Sequence, residues 1–353
     1  MAVKTTIAME TGVSVGGYEL VRDPEIPAAR LLRQPKQLGE VFSSLLANSF
    51  LANSFGGNLH VRIRRYLPGK RCVAAVDVTP ARAGNGASER RRFIIKLYAP
   101  GKGAEAFATL QNLRSHGLSS GRFTVCRPIA YDPTWHLVIL EQAHGESLGS
   151  RLLMGKNAEQ YADGAARWLH ALHNCGLTEG RRYDFGRHLH TLGLQGRHLA
   201  AVFPEPGRQY RDVLQRIEKQ DRPLSRWTPA PTHRDFTPEH LYWDDDQLTG
   251  LDFDEFCQYD PLFDVGHFMA HLRLMSLRHP GAAPGLNHVA QRFQAAYEAG
   301  AENYSPPRVR LYQAMTYLKL AYVVGVVERP GNWRGLATAL VHEADQLAGE
   351  DVT

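Results

Sequence analysis

Up to residue 140 the apolar residues of this chain recur at every second position in several short runs, and after Gly145 they recur at every third or fourth. This change of period constrains the fold more than any other feature. A period of two puts alternate side chains on one face of a strand, whereas a period near 3.6 puts them on one stripe of a helix. Three runs read as strands: Val61-Arg62-Ile63-Arg64-Arg65-Tyr66, Cys72-Val73-Ala74-Ala75-Val76-Asp77-Val78 and Phe93-Ile94-Ile95-Lys96-Leu97-Tyr98. Pro68-Gly69 marks a turn between the first two, and a Gly-, Ala- and Arg-rich loop over 80–90 precedes the third. A helix is expected over Ala104–His116, with Phe107, Leu110 and Leu113 on one face. Two further strands follow, the second being Leu137-Val138-Ile139-Leu140. Beyond Gly145, Ala165, Leu169 and Leu172 stand at helical spacing, and helical patterns recur toward the C-terminus. The exception is Leu241–Phe253, a hairpin turning on Asp244-Asp245-Asp246. An α+β chain in two parts is expected: residues 1–140, a small antiparallel sheet with one helix behind an N-terminal extension, and residues 141–353, larger and helical, joined at about 141–147.

A chain of 353 residues is long enough for two such parts, and 43% hydrophobic with 22% charged residues is ordinary for a globular protein. No stretch approaches the roughly 20 apolar residues that span a bilayer, and Ala321–Val327 reads as a buried helix segment. The first residues show no apolar signal core, so a cytoplasmic protein without a membrane partner is expected. Cys72, Cys126, Cys175 and Cys257 are far apart and form no CxxC pair, which favours reduced thiols over disulfides or a zinc site. The net charge of +5 invites a nucleic-acid partner. Basic and acidic residues are interleaved, however, and Arg90-Arg91-Arg92 reads as a solvated entrance to a strand. With no accompanying motif, no nucleic-acid binding is expected. Near the N-terminus, Leu38, Val41, Phe42 and Leu45 suggest an amphipathic helix that runs into a direct repeat, Leu46-Ala47-Asn48-Ser49-Phe50 and Leu51-Ala52-Asn53-Ser54-Phe55. Five helical residues turn about 500°, so the two copies cannot share one buried stripe and the helix is expected to end within the pair.

The chemistry concentrates in His233-Arg234-Asp235-Phe236-Thr237-Pro238-Glu239-His240 and, after the hairpin, Leu251-Asp252-Phe253-Asp254. The protein-kinase catalytic loop reads H-R-D, four residues, then Asn, with a D-F-G further on. Here His240 holds the Asn position and Asp254 the Gly position. Pro238 follows the aspartate, and Asp260-Pro261-Leu262-Phe263-Asp264 comes shortly after. This combination resembles the aminoglycoside phosphotransferase and choline kinase family. Earlier pieces extend the resemblance to roughly residues 60–275. Lys96 ends an apolar strand, Glu105 lies on the next helix, Leu140–Leu148 resembles the segment between lobes, and Trp168–His173 the helix after it.

The resemblance implies a two-lobed protein-kinase-like fold, with a small antiparallel-sheet lobe for nucleotide and a larger helical lobe for catalysis and the acceptor. It implies a phosphotransferase that moves the γ-phosphate of ATP, with GTP left open, to a hydroxyl of a small molecule. Asp235 would orient that hydroxyl, and Asp252 would hold Mg²⁺ or Mn²⁺, joined by Asp254 or His240. Lys96 would meet the nucleotide phosphates, held by Glu105. Lys70 and Arg71 would add charge from the turn that covers the nucleotide, and Glu141 would line it at the hinge. His233 would brace the loop. An Asn at 240 would offer a hard carbonyl oxygen, whereas imidazole suits Mn²⁺ better. Three readings of His240 therefore stay open: one metal suffices, Mn²⁺ is preferred, or the chain is a nucleotide-binding regulatory pseudokinase without turnover. A protein kinase is disfavoured, because the direct run from Asp254 to Asp260-Pro261 leaves no room for an activation loop. Asp264 reads as a helix N-cap. His267 and His271 have metal-ligand spacing without a third ligand, and read as core or polar histidines. Arg187, His188, His190, Arg197, His198, Arg208, Arg211, Arg216, Lys219, Arg222 and Arg226 outnumber the nearby carboxylates, which favours a neutral or anionic acceptor.

Overall fold

The structure, a computed structural model, describes residues 5–9, 23–46, 58–79, 91–224 and 227–349. The 80–90 loop and the direct repeat beyond Leu46 lie outside these residues. The chain forms two compact units, one of residues 1–115 and 125–144, the other of residues 116–124 and 145–353. The second unit thus recruits nine residues, 116–124, from the stretch that the sequence assigns to the first part.

In the first unit, β1 (Thr5–Met9), β2 (Asn58–Leu67), β3 (Arg71–Thr79), β4 (Arg91–Tyr98), β6 (Pro128–Asp132) and β7 (Leu137–Glu141) form one sheet in the order β1-β2-β3-β4-β7-β6. All neighbours are antiparallel except β1 and β2, which run parallel; the sequence gives no sign of this added edge. Alternation decides what each face carries. Leu59, Val61 and Ile63, then Ala74, Val76 and Val78, then Phe93, Ile95 and Leu97, and finally Leu137 and Ile139 all enter one core. A bulge between Ile63 and Arg65 shifts the register of β2, and Tyr66 joins that core too. The core is closed by a 3-10 turn (Pro27–Arg33) and helix α1 (Pro35–Leu46), through Ala29, Leu31, Leu38, Phe42 and Leu46. Residues 26–46 therefore cover one face of the sheet. Lys96, even-numbered on β4, falls on the opposite face, where its register partners are Val73 and Val138. That face also carries Asp77, paired with Arg62 at 2.9 Å and Arg92 at 3.2 Å.

The second unit is mainly helical. Helix α4 (Ala158–His173) buries Trp168 completely. Around it stand a small sheet of β5 (Phe123–Val125), β11 (Gln247–Gly250), β10 (Leu241–Asp244) and β8 (Glu146–Ser147), and the helices α7 (Leu262–Arg278), α8 (Ala283–Glu298) and α9 (Pro306–Tyr322). The indole N–H of Trp168 donates to Thr124 O at 3.0 Å, which ties the 116–124 segment into this unit. A Cβ on Gly250 would lie 2.1 Å from Trp168, so only glycine lets the strand pass the indole. All four cysteines are free thiols, and burial pushes Cys72 and Cys257 up to about 12. No described helix is long and apolar enough to cross a membrane.

At Gly145 the backbone takes φ +79, and a Cβ there would meet Trp243 O at 2.0 Å. The chain has no slack at this point, because Glu146 pairs with Trp243 in the sheet. Gly145→Ala should lower unfolding free energy by about 1–3 kcal/mol or more in urea titrations. A loss below about 0.5 kcal/mol would show that this crossing can relax.

Candidate active site

Residues 233–240 leave strand β9 (Ala230–Thr232) and end in a 3-10 turn at Pro238–His240. Two features fix the loop. The fully buried carboxylate of Asp264 accepts from His233 N at 2.7 Å and from Arg234 N at 2.8 Å. His173 Nε2 stands 3.2 Å from the same carboxylate, and His173 Nδ1 lies 2.8 Å from Tyr297 Oη. The expected N-cap role for Asp264 is therefore corrected. It sits inside the first turn of α7 and caps the loop instead, while Asp260 accepts from Leu262 N at 3.1 Å.

His233 is the second brace. Its Nε2 lies 2.8 Å from Leu251 O, and Asp235 N donates to its Nδ1 at 3.3 Å. A carbonyl oxygen only accepts, so Nε2 carries the proton and Nδ1 the lone pair. Burial lowers the pKa of this ring, which suits that neutral tautomer. His233 thereby locks the 233–240 loop to the Leu251-Asp252 segment. Phe236 stacks on Trp168 at 5.5 Å and Phe253 packs against His233 at 4.5 Å, so both segments rest on one aromatic floor. Two residues here hold left-handed backbone without being glycine, Arg234 at φ 65 and Asp252 at φ 59. Such conformations persist only where the surroundings enforce them, and they gather at functional sites.

His240 stands between the two aspartates. Its Nδ1 lies 2.7 Å from Asp235 O and 3.7 Å from Asp235 Oδ2, and its Nε2 lies 3.8 Å from Asp252 Oδ2. A carbonyl oxygen only accepts, so Nδ1 donates to it and Nε2 is the nitrogen that faces Asp252. Asp254 lies half-buried in the turn Phe253–Glu255. Among the described residues no group of three or more His, Cys, Asp or Glu side chains is gathered as a metal site. That donor set fits a hard cation bound largely by a substrate's own oxygens, as Mg²⁺ is in phosphoryl-transfer sites.

Two groups on Asp235 escape the sequence reading. Lys319 Nζ donates to Asp235 Oδ1 at 3.3 Å, and His267 Nε2 stands 3.4 Å from the same oxygen. Burial alone would raise the pKa of Asp235. Lys319, His267 and His240 outweigh it and hold the carboxyl well below the usual range. Burial and Lys319 press His267 down to about 4, so it is neutral near pH 7. A signal for Lys319 did exist: it is the one charged residue between Leu311 and Val327. A lysine inside so apolar a helix needs a partner. His267 and His271 do lie in the interior, ring to ring at 4.6 Å, yet His267 also faces Asp235.

The remaining sequence candidates lie in the first unit. Lys96 is buried at 7% exposure on β4. Lys70 is exposed in the β2–β3 turn and Arg71 opens β3. That turn is pinned by Asp23, whose Oδ2 accepts from Gly69 N and Tyr66 Oη, both at 2.8 Å. Burial would raise the pKa of Asp23, but these bonds and one from Glu25 N lower it overall. Glu141 closes β7, and its backbone N–H donates to Arg127 O at 2.9 Å. Glu105 is exposed in the first turn of helix α2 (Gly103–Leu113), where its side chain is turned to solvent. Its charge favours the helix N-terminus.

A sheet-bearing unit and a helical unit that fixes an H-R-D loop against an aspartate-bearing turn define a protein-kinase-like fold. The phosphotransferase enzyme family (APH) matches residues 84–312, well over half of the chain, and the chain belongs to it. No curated protein matches closely enough in sequence to count as a relative. Among solved structures, the chain is similar to a choline/ethanolamine kinase family protein from Mesorhizobium loti (15% identity, TM-score 0.53, covering 89% of this chain and 95% of that one). It is also similar to the aminoglycoside phosphotransferase APH(4)-Ia in a ternary complex with ADP and hygromycin B (15%, 0.57, 88% and 99%). A third is LicA in complex with AMP (13%, 0.56, 89% and 99%). At these identities the likeness shows the fold.

Asp264→Ala strands two buried N–H donors. Each costs about 1–3 kcal/mol, so a loss of about 2–6 kcal/mol in unfolding free energy is expected, with faster hydrogen exchange at the 233 and 234 amides. Unchanged exchange there would mean that the loop is held by other contacts.

Proposed function

We propose that this chain transfers the γ-phosphoryl group of ATP to a hydroxyl of a small molecule, with a neutral or anionic acceptor preferred and GTP as the other candidate donor. The observation that carries the reading is the position of Asp235. It is a carboxylate held ionised on a loop whose backbone is tied down on both sides by Asp264 and His233. Phosphoryl transfer asks the protein mainly for positioning and charge neutralisation, since the phosphoryl group moves through a loose transition state. A carboxylate with a depressed pKa is a weak base. Asp235 therefore serves to orient the acceptor hydroxyl through a hydrogen bond, and takes its proton only late, when the oxygen has become acidic.

Asp252, with Asp254 and the Nε2 lone pair of His240, would hold a divalent cation, Mg²⁺ or Mn²⁺; when bound, it supplies neutralisation of phosphate charge. Lys96 is the proposed cation for the α- and β-phosphates, with Lys70 and Arg71 adding charge from the Asp23-pinned turn and Glu141 lining the nucleotide at the hinge. The ADP and AMP held by two of the similar structures support a nucleotide in this role. His240, in place of an amide side chain, favours a second reading: a regulatory pseudokinase that binds nucleotide without turnover.

Asp235→Asn should cut transfer by about 10²–10⁴-fold and leave nucleotide affinity within a few-fold, measured by coupled assay and calorimetry. A variant that keeps most of its activity removes Asp235 from the mechanism. His240 is tested by changing the metal. If it only holds the Asp235 carbonyl, His240→Asn should keep or raise the rate with Mg²⁺, because an amide oxygen is the harder ligand. A wild type active with Mn²⁺ alone contradicts this expectation. No transfer with either metal, despite nucleotide binding, selects the pseudokinase.

A further inference from the structure

The ammonium of Lys319 occupies the place beside Asp235 where an acceptor must bind. Its Nζ donates to Asp235 Oδ1 at 3.3 Å, and among the described residues this is the one acceptor it reaches. An ammonium has three donors. The Lys319 side chain is 32% exposed, so the other donors remain open to solvent or to a bound molecule. The rings beside it, His267 and His188, are held neutral by burial, and Arg234 is a further cation close to His188. His267 Nε2 lies 3.4 Å from the same carboxylate oxygen. His188, fully buried on helix α5 (Phe185–Val202), has Arg234, Lys319 and His267 as its charged or titratable neighbours. Of the nearby carboxylates, Asp264 is already engaged by two backbone N–H groups and His173. Asp235 itself is reserved for the hydroxyl. A cationic group on the acceptor would therefore meet an ammonium, and the next carboxylate, Asp252, lies across His240 and is assigned to the metal.

We propose that Lys319 is a specificity-determining residue that binds an oxyanion, carboxylate or phosphate, carried by the acceptor close to the hydroxyl held by Asp235. This rests on the transferase reading above and adds the class of acceptor to it. The spacing limits the molecule. With hydrogen bonds of about 2.7–2.9 Å from hydroxyl to Asp235 and from oxyanion to Lys319, and with both groups on the same side of the 3.3 Å pair, the two acceptor oxygens lie about 3–6 Å apart. That is the separation in a 2- or 3-hydroxy acid, or in an alcohol one or two carbons from a phosphate ester. On binding, the ammonium exchanges part of its contact with Asp235 for the oxyanion. The base is thereby freed for the hydroxyl at the moment the correct acceptor is present.

The test compares alcohols of one size that differ in charge: glycerate and glycerol 3-phosphate as the two oxyanion arms, glycerol as the neutral arm, and serinol as the cationic arm. Binding to the protein loaded with a non-hydrolysable ATP analogue is measured by calorimetry, and phosphorylation with ATP by mass spectrometry. At least one oxyanion arm should bind about tenfold or more tightly than serinol, and which arm leads tells carboxylate from phosphate. In Lys319→Met that advantage should collapse through binding or KM rather than kcat, and Lys319→Arg should retain part of it, which shows that the site still folds. Serinol binding as well as the oxyanions, an advantage that survives in Lys319→Met, or no binding by any arm overturns the proposal. The two readings fail separately. Phosphorylation that favours serinol sinks the oxyanion site and leaves the transferase standing. Oxyanion binding that depends on Lys319, without phosphorylation of any arm, sinks the transferase reading and leaves a binding site.

Discussion

Two backbone N–H groups ending on one buried carboxylate hold this site together. Asp264 takes the Arg234 N–H directly and so helps to hold that residue in its left-handed conformation, and Asp235 follows Arg234 in the chain. The carboxylate is itself supported by His173, which is held by Tyr297 of α8. Three elements distant in sequence thus meet at one oxygen pair. The aromatic floor of Trp168, Phe236 and Phe253 gives the loop its level, and the Asp264 cap gives it its direction. In a buried setting such bonds are worth most when every partner is satisfied.

What could be read from the sequence was what is local. Alternation placed β2, β3 and β4 within a few residues of their ends, and helical spacing found α4. The gathering of Asp235, His240 and Asp252 was legible because 233–240 and 251–254 flank a single hairpin and have nowhere else to go. The rest depends on contacts between remote segments. Lys319 lies in the last turn of α9 and reaches Asp235 only once α9 has packed beside α7. His267 looked like a core residue because it is one, and its second face meets Asp235. Glu105 was expected to reach inward, but the helix starts at Gly103 and turns it outward. The parallel edge strand carries no local mark at all, whereas the amphipathic spacing of Leu38, Val41, Phe42 and Leu45 marked a helix without saying what it would cover.

The charge around Asp235 is the less obvious half of the design. A carboxylate surrounded by an ammonium and two imidazoles stays ionised far below neutral pH, which makes it a steady hydrogen-bond acceptor and a poor proton trap. His267 remains uncharged in the same place because burial and Lys319 both oppose its protonation. Lys319 is the main charge that lowers Asp235, and at His267 it adds to the larger effect of burial.

Neither unit is a single stretch of chain. The helical unit claims residues 116–124, which lend it the strand beside β11 and the carbonyl that receives the Trp168 N–H. A fragment cut at 144/145 would leave β11 with a bare edge and the central indole with an unmatched donor. The sheet-bearing unit, for its part, resumes at Val125 and would lose β6 and β7 if it were stopped at 115. Gene fusion and domain shuffling move contiguous segments, so this chain has no internal boundary at which they could separate a working half. A contiguous segment that carries the whole of either unit therefore always carries part of the other.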